Sequence, residues 1–215
     1  MESQRLRRRL VGAVLTALTV AATLVAPALA SAQPCSDVTV VFARGTGEPP
    51  GIGRVGQAFV DALRPQLGAR TLSSYGVNYP ASYDFLLAAD GAADASAYVA
   101  NIAQSCPATR IVLGGFSQGA AVIDMLAGVP PLGNRLGAVG PMLPAPAVSK
   151  VAAVAVFGNP ATKFGNPITS SVFGGRAIDL CTDGDPICSR GRNPFAHRDY
   201  TAMAHQAANF VAGLV

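Results

Sequence analysis

Gly115-Phe116-Ser117-Gln118-Gly119 sets a serine inside two glycines, after the apolar run Arg110-Ile111-Val112-Leu113-Gly114 and before the small-residue run from Ala120 to Leu126. A β-branched run, a Gly-x-Ser-x-Gly turn and a helix-forming run form the pattern that presents a serine hydroxyl at the tip of a sharp strand-to-helix turn. There it can attack a carbonyl carbon. The glycines serve that turn, because the serine backbone is strained and side chains two residues to either side would strike the neighbouring strand and helix. In a chain with 23 Gly the same pentapeptide also arises as an ordinary turn. It carries chemistry only if a base and an orienting acid accompany it.

A serine nucleophile needs a general base, and the base needs a third group to fix its tautomer and stabilise its charged form. The chain has 2 His. His205 falls inside a helical pattern, off its apolar stripe and in line with Asn209, as a solvated residue would. His197 follows Asn193-Pro194-Phe195-Ala196 just before that helix and is the candidate base. In the chain order Ser, Asp, His, the acid lies between Ser117 and His197. Asp179 sits inside a short strand pattern and Asp183 opens a turn. Asp185, held by Pro186 within Cys181-Thr182-Asp183-Gly184-Asp185-Pro186-Ile187-Cys188, is the more constrained carboxylate and the choice, with Asp183 the alternative. The developing oxyanion needs preorganised donors, and the backbone N–H of Gln118 supplies one. The second is expected from Gly45-Thr46-Gly47, where Thr46 offers an N–H and a hydroxyl and reads equally as a plain turn residue.

These groups must meet at one place, which the surrounding elements determine. Val38 to Ala43 is a continuous β-branched run, as in a strand buried on both faces of a parallel sheet. Further strands are expected over residues 71–78, at Arg110-Gly114, over 151–157 and over 176–180. Helices are expected over 53–67, 90–104, after Ser117 and over 200–214, and residues 130–149 read as an irregular, Pro- and Gly-rich surface excursion. Strands alternating with helices make an α/β fold with an open, mostly parallel sheet. Chemistry gathers beyond the carboxyl ends of its strands, so Thr46, Ser117 and the segment after Leu180 share one rim. Tyr83, Phe85 and Phe195 are candidate walls of an acyl site, with core packing the equal alternative.

The first 32 residues stand apart from this pattern. Arg5, Arg7, Arg8 and Arg9 precede an apolar stretch from Leu10 to Ala26, followed by Pro27 and two overlapping Ala-x-Ala sites ending at Ala30 and Ala32. That is a secretory signal peptide, with cleavage expected after Ala32 and a single domain over residues 33–215. The leader holds four of the 16 Lys+Arg and one of the 12 Asp+Glu, leaving a mature charge of about +1. So weak a charge gives no argument for nucleic acid. The expected product is a secreted monomer, extracellular or associated with the cell envelope, without an integral membrane anchor.

Four cysteines in an exported chain imply two disulfides and three possible connectivities. Cys35 and Cys106 stand at nearly the same offset before two strands. If those strands are parallel neighbours, both cysteines reach the same sheet edge and can bridge, closing a loop worth about 4.5 kcal/mol in the chain-entropy model. Cys181 and Cys188 then bridge locally. No C-x-x-C spacing and few histidines argue against a metal site. Gly51-Ile52-Gly53-Arg54-Val55-Gly56 matches a dinucleotide-binding fingerprint. However, it follows the strand only after a gap containing Pro49-Pro50, and no acidic residue ends the second strand, so no cofactor is expected.

Taken together, Val41-Phe42-Ala43-Arg44-Gly45-Thr46, Asn78-Tyr79-Pro80-Ala81, Gly114 to Gly119, Cys181 to Cys188 around Asp185, and His197 with Tyr200 resemble the cutinase family of serine esterases, in particular its bacterial members. The resemblance spans the mature chain in order. It implies a compact three-layer α/β/α hydrolase fold with five central strands and the two disulfides above. For the site it implies a triad of Ser117, Asp185 and His197, with Thr46 and Gln118 as oxyanion stabilisers, acting on acyl esters or lipids through an acyl-enzyme. Two features depart from the family: Arg198 stands where cutinases often carry an apolar residue, and the 130–149 excursion is longer than in compact fungal members. Two other readings are acyl transfer to another alcohol, and a secreted binding or antigenic protein that retains the fold without turnover.

Overall fold

Val38–Ala43 (β1) is buried along its whole length because it pairs on both edges and is covered on both faces. The computed structural model describes residues 35–134, 140–198 and 200–215. The expected leader and residues 135–139 of the excursion lie outside the described residues. The other strands of the sheet are Leu72–Gly76 (β2), Arg110–Phe116 (β3), Val151–Phe157 (β4) and Ala177–Leu180 (β5). All pairings are parallel and the order is β2-β1-β3-β4-β5. The chain leaves β1 toward one edge and returns to β3 on its other side. Such a reversal opens a crevice between the carboxyl ends of the two strands.

Alternation along β1 feeds two separate cores. Val38, Val40 and Phe42 pack with Val55, Phe59 and Leu63 of helix Gly53–Leu63 (α1) and with Ala204, Ala207, Ala208 and Val211 of helix Thr201–Ala212 (α4). On the opposite face, Val41 and Ala43 join Ala88, Ala92, Ala95 and Val99 of helix Ala88–Ser105 (α2) and Val122 and Ile123 of helix Gln118–Leu126 (α3). Helices on both faces of one parallel sheet give the expected three-layer α/β/α architecture. Cys35 and Cys106 lie just upstream of the paired residues Val38 and Arg110, and they are bridged, as are Cys181 and Cys188.

Several boundaries differ from the sequence expectation for identifiable reasons. The helix expected over 53–67 tightens into a 3₁₀ turn at Arg64–Leu67, because Pro65 cannot continue the α-helical ladder. β2 stops at Gly76, and Val77 and Tyr79 instead accept hydrogen bonds from the buried Arg44. β3 runs on through Gly115 and Phe116, which pair with Val156 and Phe157. The 130–149 excursion is not wholly a surface feature. It contains an extended segment, Pro131–Asn134, and a helical turn, Ala145–Val148. Leu143 and Ala147, four residues apart, are buried in the core that α2 and α3 share.

Gly119 shows why the elbow needs glycine. A Cβ there would lie 1.9 Å from the Ala43 carbonyl oxygen, so only hydrogen fits where α3 starts against the end of β1. That contact brings the loop after β1 alongside Ser117.

Candidate active site

Ser117 sits at φ +56° and ψ −117°, a conformation that an L-residue adopts at a cost of about 1–3 kcal/mol. Its backbone is pinned from both sides: the N–H donates to the Phe157 carbonyl at 2.9 Å, and its carbonyl accepts from Ala121 at 3.2 Å. The hydroxyl is thereby aimed away from the sheet. Ser117 Oγ lies 2.7 Å from His197 Nε2, and His197 Nδ1 lies 2.6 Å from Asp185 Oδ2. With Asp185 ionised, Nδ1 carries the proton and donates it to the carboxylate, leaving Nε2 to accept from the serine hydroxyl. The imidazole stacks on Phe116 with ring centroids 5.0 Å apart. Gly158, at φ +59°, makes room for it, since a Cβ there would approach His197 Cε1 to 2.8 Å.

Asp185 is fully buried. Its own turn holds it: the backbone N–H donates to Thr182 O at 3.0 Å, and Oδ1 accepts from the Ile187 N–H at 2.7 Å. The Cys181–Cys188 bridge closes this turn. The Tyr200 hydroxyl donates to Asp185 Oδ2 at 2.5 Å. Asp183, two residues away, is exposed, and His205 is exposed on α4. Asp179 belongs elsewhere. Its carboxylate accepts from Asn159 Nδ2, Thr162 Oγ1 and the Ile168 N–H at 2.9, 2.8 and 3.1 Å. Asn159 also reaches the buried Asp124 at 3.2 Å, and burial pushes both carboxyls above their usual range. These groups anchor the Pro160–Lys163 turn, which forms part of the groove wall.

The loop after β1 is held by a buried arginine. Arg44 donates through Nε to the Glu48 carbonyl at 2.8 Å, and through its two terminal nitrogens to the carbonyls of Val77 and Tyr79 at 3.2 and 2.6 Å. The Tyr79 hydroxyl returns a bond to the Arg44 carbonyl. The Glu48 carboxylate accepts from the backbone N–H groups of Gly45 and Arg54 at 2.7 and 2.9 Å. Thr46 sits on this rigid loop with its Oγ1 3.3 Å from the side-chain oxygen of Gln118, while Gln118 Nε2 donates to the Ser82 carbonyl at 2.9 Å. The two oxyanion candidates are thus in direct contact.

Ser117 and His197 open into a groove of about 680 Å³. Tyr83, Phe85, Leu132, Phe164 and Ile187 give it apolar walls, with Glu48, Arg54, Lys163 and Arg198 among its other lining residues. Phe195 is not one of them. Its ring is 71% exposed and lies beneath the Arg198 guanidinium, 5.8 Å away, because the turn before His197 carries it outward. Leu132, Phe164, Ile187 and the buried Tyr200 contacts escaped the sequence reading. Only the pairing of His197 with Tyr200 in the family pattern hinted at the last. Among the described residues, no group of three or more His, Cys, Asp or Glu could hold a metal ion, and no helix is long and apolar enough to cross a membrane.

The profile of the Cutinase family matches residues 34–215. Phospholipase Culp4 of Mycobacterium tuberculosis is 51% identical over 97% of this chain and 92% of its own length. Carboxylesterase Culp1 of Mycobacterium bovis is 44% identical over 95% of this chain and 94% of its own. Among solved structures, the Trichoderma reesei cutinase in complex with a phosphonate inhibitor superposes with a TM-score of 0.70 at 37% identity, covering 84% of this chain and 77% of that one. The catalytic core of acetyl xylan esterase from the same organism gives 0.74 at 25% identity, covering 85% of this chain and 100% of that one. The family match takes in every described residue and the superpositions cover 84% and 85% of the chain, and the chain belongs to the cutinase family.

Proposed function

We propose that this chain hydrolyses carboxylic esters through a covalent acyl-enzyme on Ser117. The observation that carries the reading is the continuous relay at the groove, Ser117 Oγ to His197 Nε2 at 2.7 Å and His197 Nδ1 to Asp185 Oδ2 at 2.6 Å. In the first half-reaction Ser117 Oγ attacks the acyl carbonyl carbon as His197 Nε2 takes the hydroxyl proton. Asp185 holds the Nδ1 proton and stabilises the imidazolium. The tetrahedral intermediate collapses, the ester C–O bond breaks, and His197 protonates the departing alcohol. Water then attacks the acyl-serine with His197 again as base, releasing the carboxylic acid and restoring the serine.

Thr46 and the Gln118 N–H stabilise the oxyanion in this scheme. The support is their mutual contact beside Ser117 on a loop locked by Arg44 and Glu48, since preorganised donors reorganise little during the reaction. Thr46→Ala keeps the backbone donor and removes the hydroxyl. The expected loss is about 10² to 10³ in kcat with little change in KM, measured on a soluble ester. An unchanged rate would leave the oxyanion to backbone groups alone.

Acyl esters and lipids are the proposed substrates, supported by the apolar groove walls and by relatives named as carboxylesterases and a phospholipase. The chain is proposed to be exported, with residues 1–32 removed as a signal peptide, and to work as a monomer. The basic and apolar leader followed by Ala-x-Ala supports export. Two disulfides suit an oxidising compartment. All the proposed catalytic groups come from one chain. Incubation with a fluorophosphonate probe and peptide mapping tests the core of the proposal, with a single adduct at Ser117 expected. No adduct on the folded protein would end the hydrolase reading in favour of a binding protein that retains the fold.

A further inference from the structure

Asp185 accepts one hydrogen bond more than holding its own turn and orienting His197 requires. Its Oδ1 is taken by the Ile187 N–H, but Oδ2 is shared between His197 Nδ1 at 2.6 Å and Tyr200 Oη at 2.5 Å. The phenol has a single proton, and the Thr182 side chain and the Cys188 sulfur at 3.3 Å neighbour it as well as Asp185 Oδ2. The bridged sulfur has no proton to give, and a carboxylate is much the better acceptor. The Thr182 N–H donates to the phenol oxygen at 3.1 Å, which fixes the lone pairs and turns the proton toward Asp185. Packing places the oxygen. The Tyr200 ring is fully buried, 5.5 Å from Phe116 and edge-on to Phe157 at 6.2 Å.

We propose that Tyr200 is a positioning residue of the ester-hydrolysis site, whose hydroxyl holds Asp185 Oδ2 in place and, by drawing on the carboxylate's charge, sets the basicity of His197. The kinetic part rests on the esterase reading above. A carboxylate that accepts a strong second hydrogen bond stabilises the imidazolium less, so the phenol keeps His197 neutral, and therefore a base, to lower pH. Burial, reinforced by the bond to Asp185, pushes the phenol well above the usual tyrosine range. It thus stays a donor throughout the working range. The other titratable side chains lining the groove with His197 are Glu48, Arg54, Tyr83, Lys163 and Arg198. The substitutions below leave all five in place.

Tyr200→Phe keeps the ring and its packing and removes only the hydroxyl. On a neutral p-nitrophenyl ester, kcat/KM is expected to fall about 10-fold, and the acid limb of its pH profile to move up by about one unit. Replacing Tyr200 with 3-fluorotyrosine makes the phenol a stronger donor and moves the same limb down. Loss of packing cannot shift one limb in opposite directions. Following the His197 Cε1 proton through an NMR titration reads the same change without turnover. An inactive wild type would therefore end the esterase reading and leave this inference measurable. If Tyr200→Phe fails to fold, fluorotyrosine against wild type still decides. An acid limb and a His197 titration that stay put, or that move the same way in both variants, overturn the proposal.

Discussion

Ser117→Ala and His197→Ala are each expected to lower kcat by up to about 10⁶-fold, and the double substitution to cost little more than either alone, because members of a triad act as a unit. Both variants are expected to fold. Ser117 contributes its strained backbone and two main-chain hydrogen bonds to the elbow, and alanine keeps all of these. His197 lies over Phe116 with its side chain 18% exposed, so truncation opens the groove rather than a sealed cavity. His205→Ala is the matched control, since that residue is exposed on α4, and its rate should stay near wild type. Rates on a soluble ester, with thermal melting to confirm folding, check the set. If His205→Ala abolished turnover while His197→Ala did not, the base would have to be reassigned.

What could be read from the sequence was local in the chain. The β-branched run Val38 to Ala43 announces a doubly covered strand because each of its two faces meets its own core. Gly-x-Ser-x-Gly announces the elbow because glycine is demanded by a contact as close as that between α3 and Ala43. Cys35 and Cys106 could be paired from their offsets because the parallel register carries offsets across the sheet. What could not be read depends on side chains that meet across the fold. Arg44 commits its guanidinium to carbonyls from residues more than 30 positions away as well as to its own loop. No periodicity marks such a residue. Asn159 bridges Asp124 and Asp179 from three different elements, and each residue alone looks like a solvated polar group. Phe164 and Ile187 are 44% and 36% exposed, and they line the groove through loop geometry that apolar patterning does not encode.

Asp185→Asn is expected to lower kcat by about 10⁴-fold at neutral pH, whereas Asp183→Asn leaves it near wild type. Asparagine has nearly the volume of aspartate, and its carbonyl oxygen can still accept from the Ile187 N–H that now bonds Oδ1 at 2.7 Å. The side-chain NH₂ then faces His197 Nδ1, where the carboxylate oxygen stood at 2.6 Å. Two N–H donors cannot point at each other, so the imidazole shifts its proton to Nε2. Nε2 then has no lone pair for the Ser117 hydroxyl 2.7 Å away, and the nucleophile loses its base although every group remains in place. The same amide also meets the Tyr200 hydroxyl as a second donor, which removes the bond that holds Oδ2. Asp183 is exposed on the same disulfide-closed turn, so its amide tests whether a charge near the loop matters without touching the imidazole. Measuring kcat and melting temperature for both variants separates the roles. A near-normal rate for Asp185→Asn together with a large loss for Asp183→Asn would move the orienting acid to Asp183 and require the loop to rearrange during turnover.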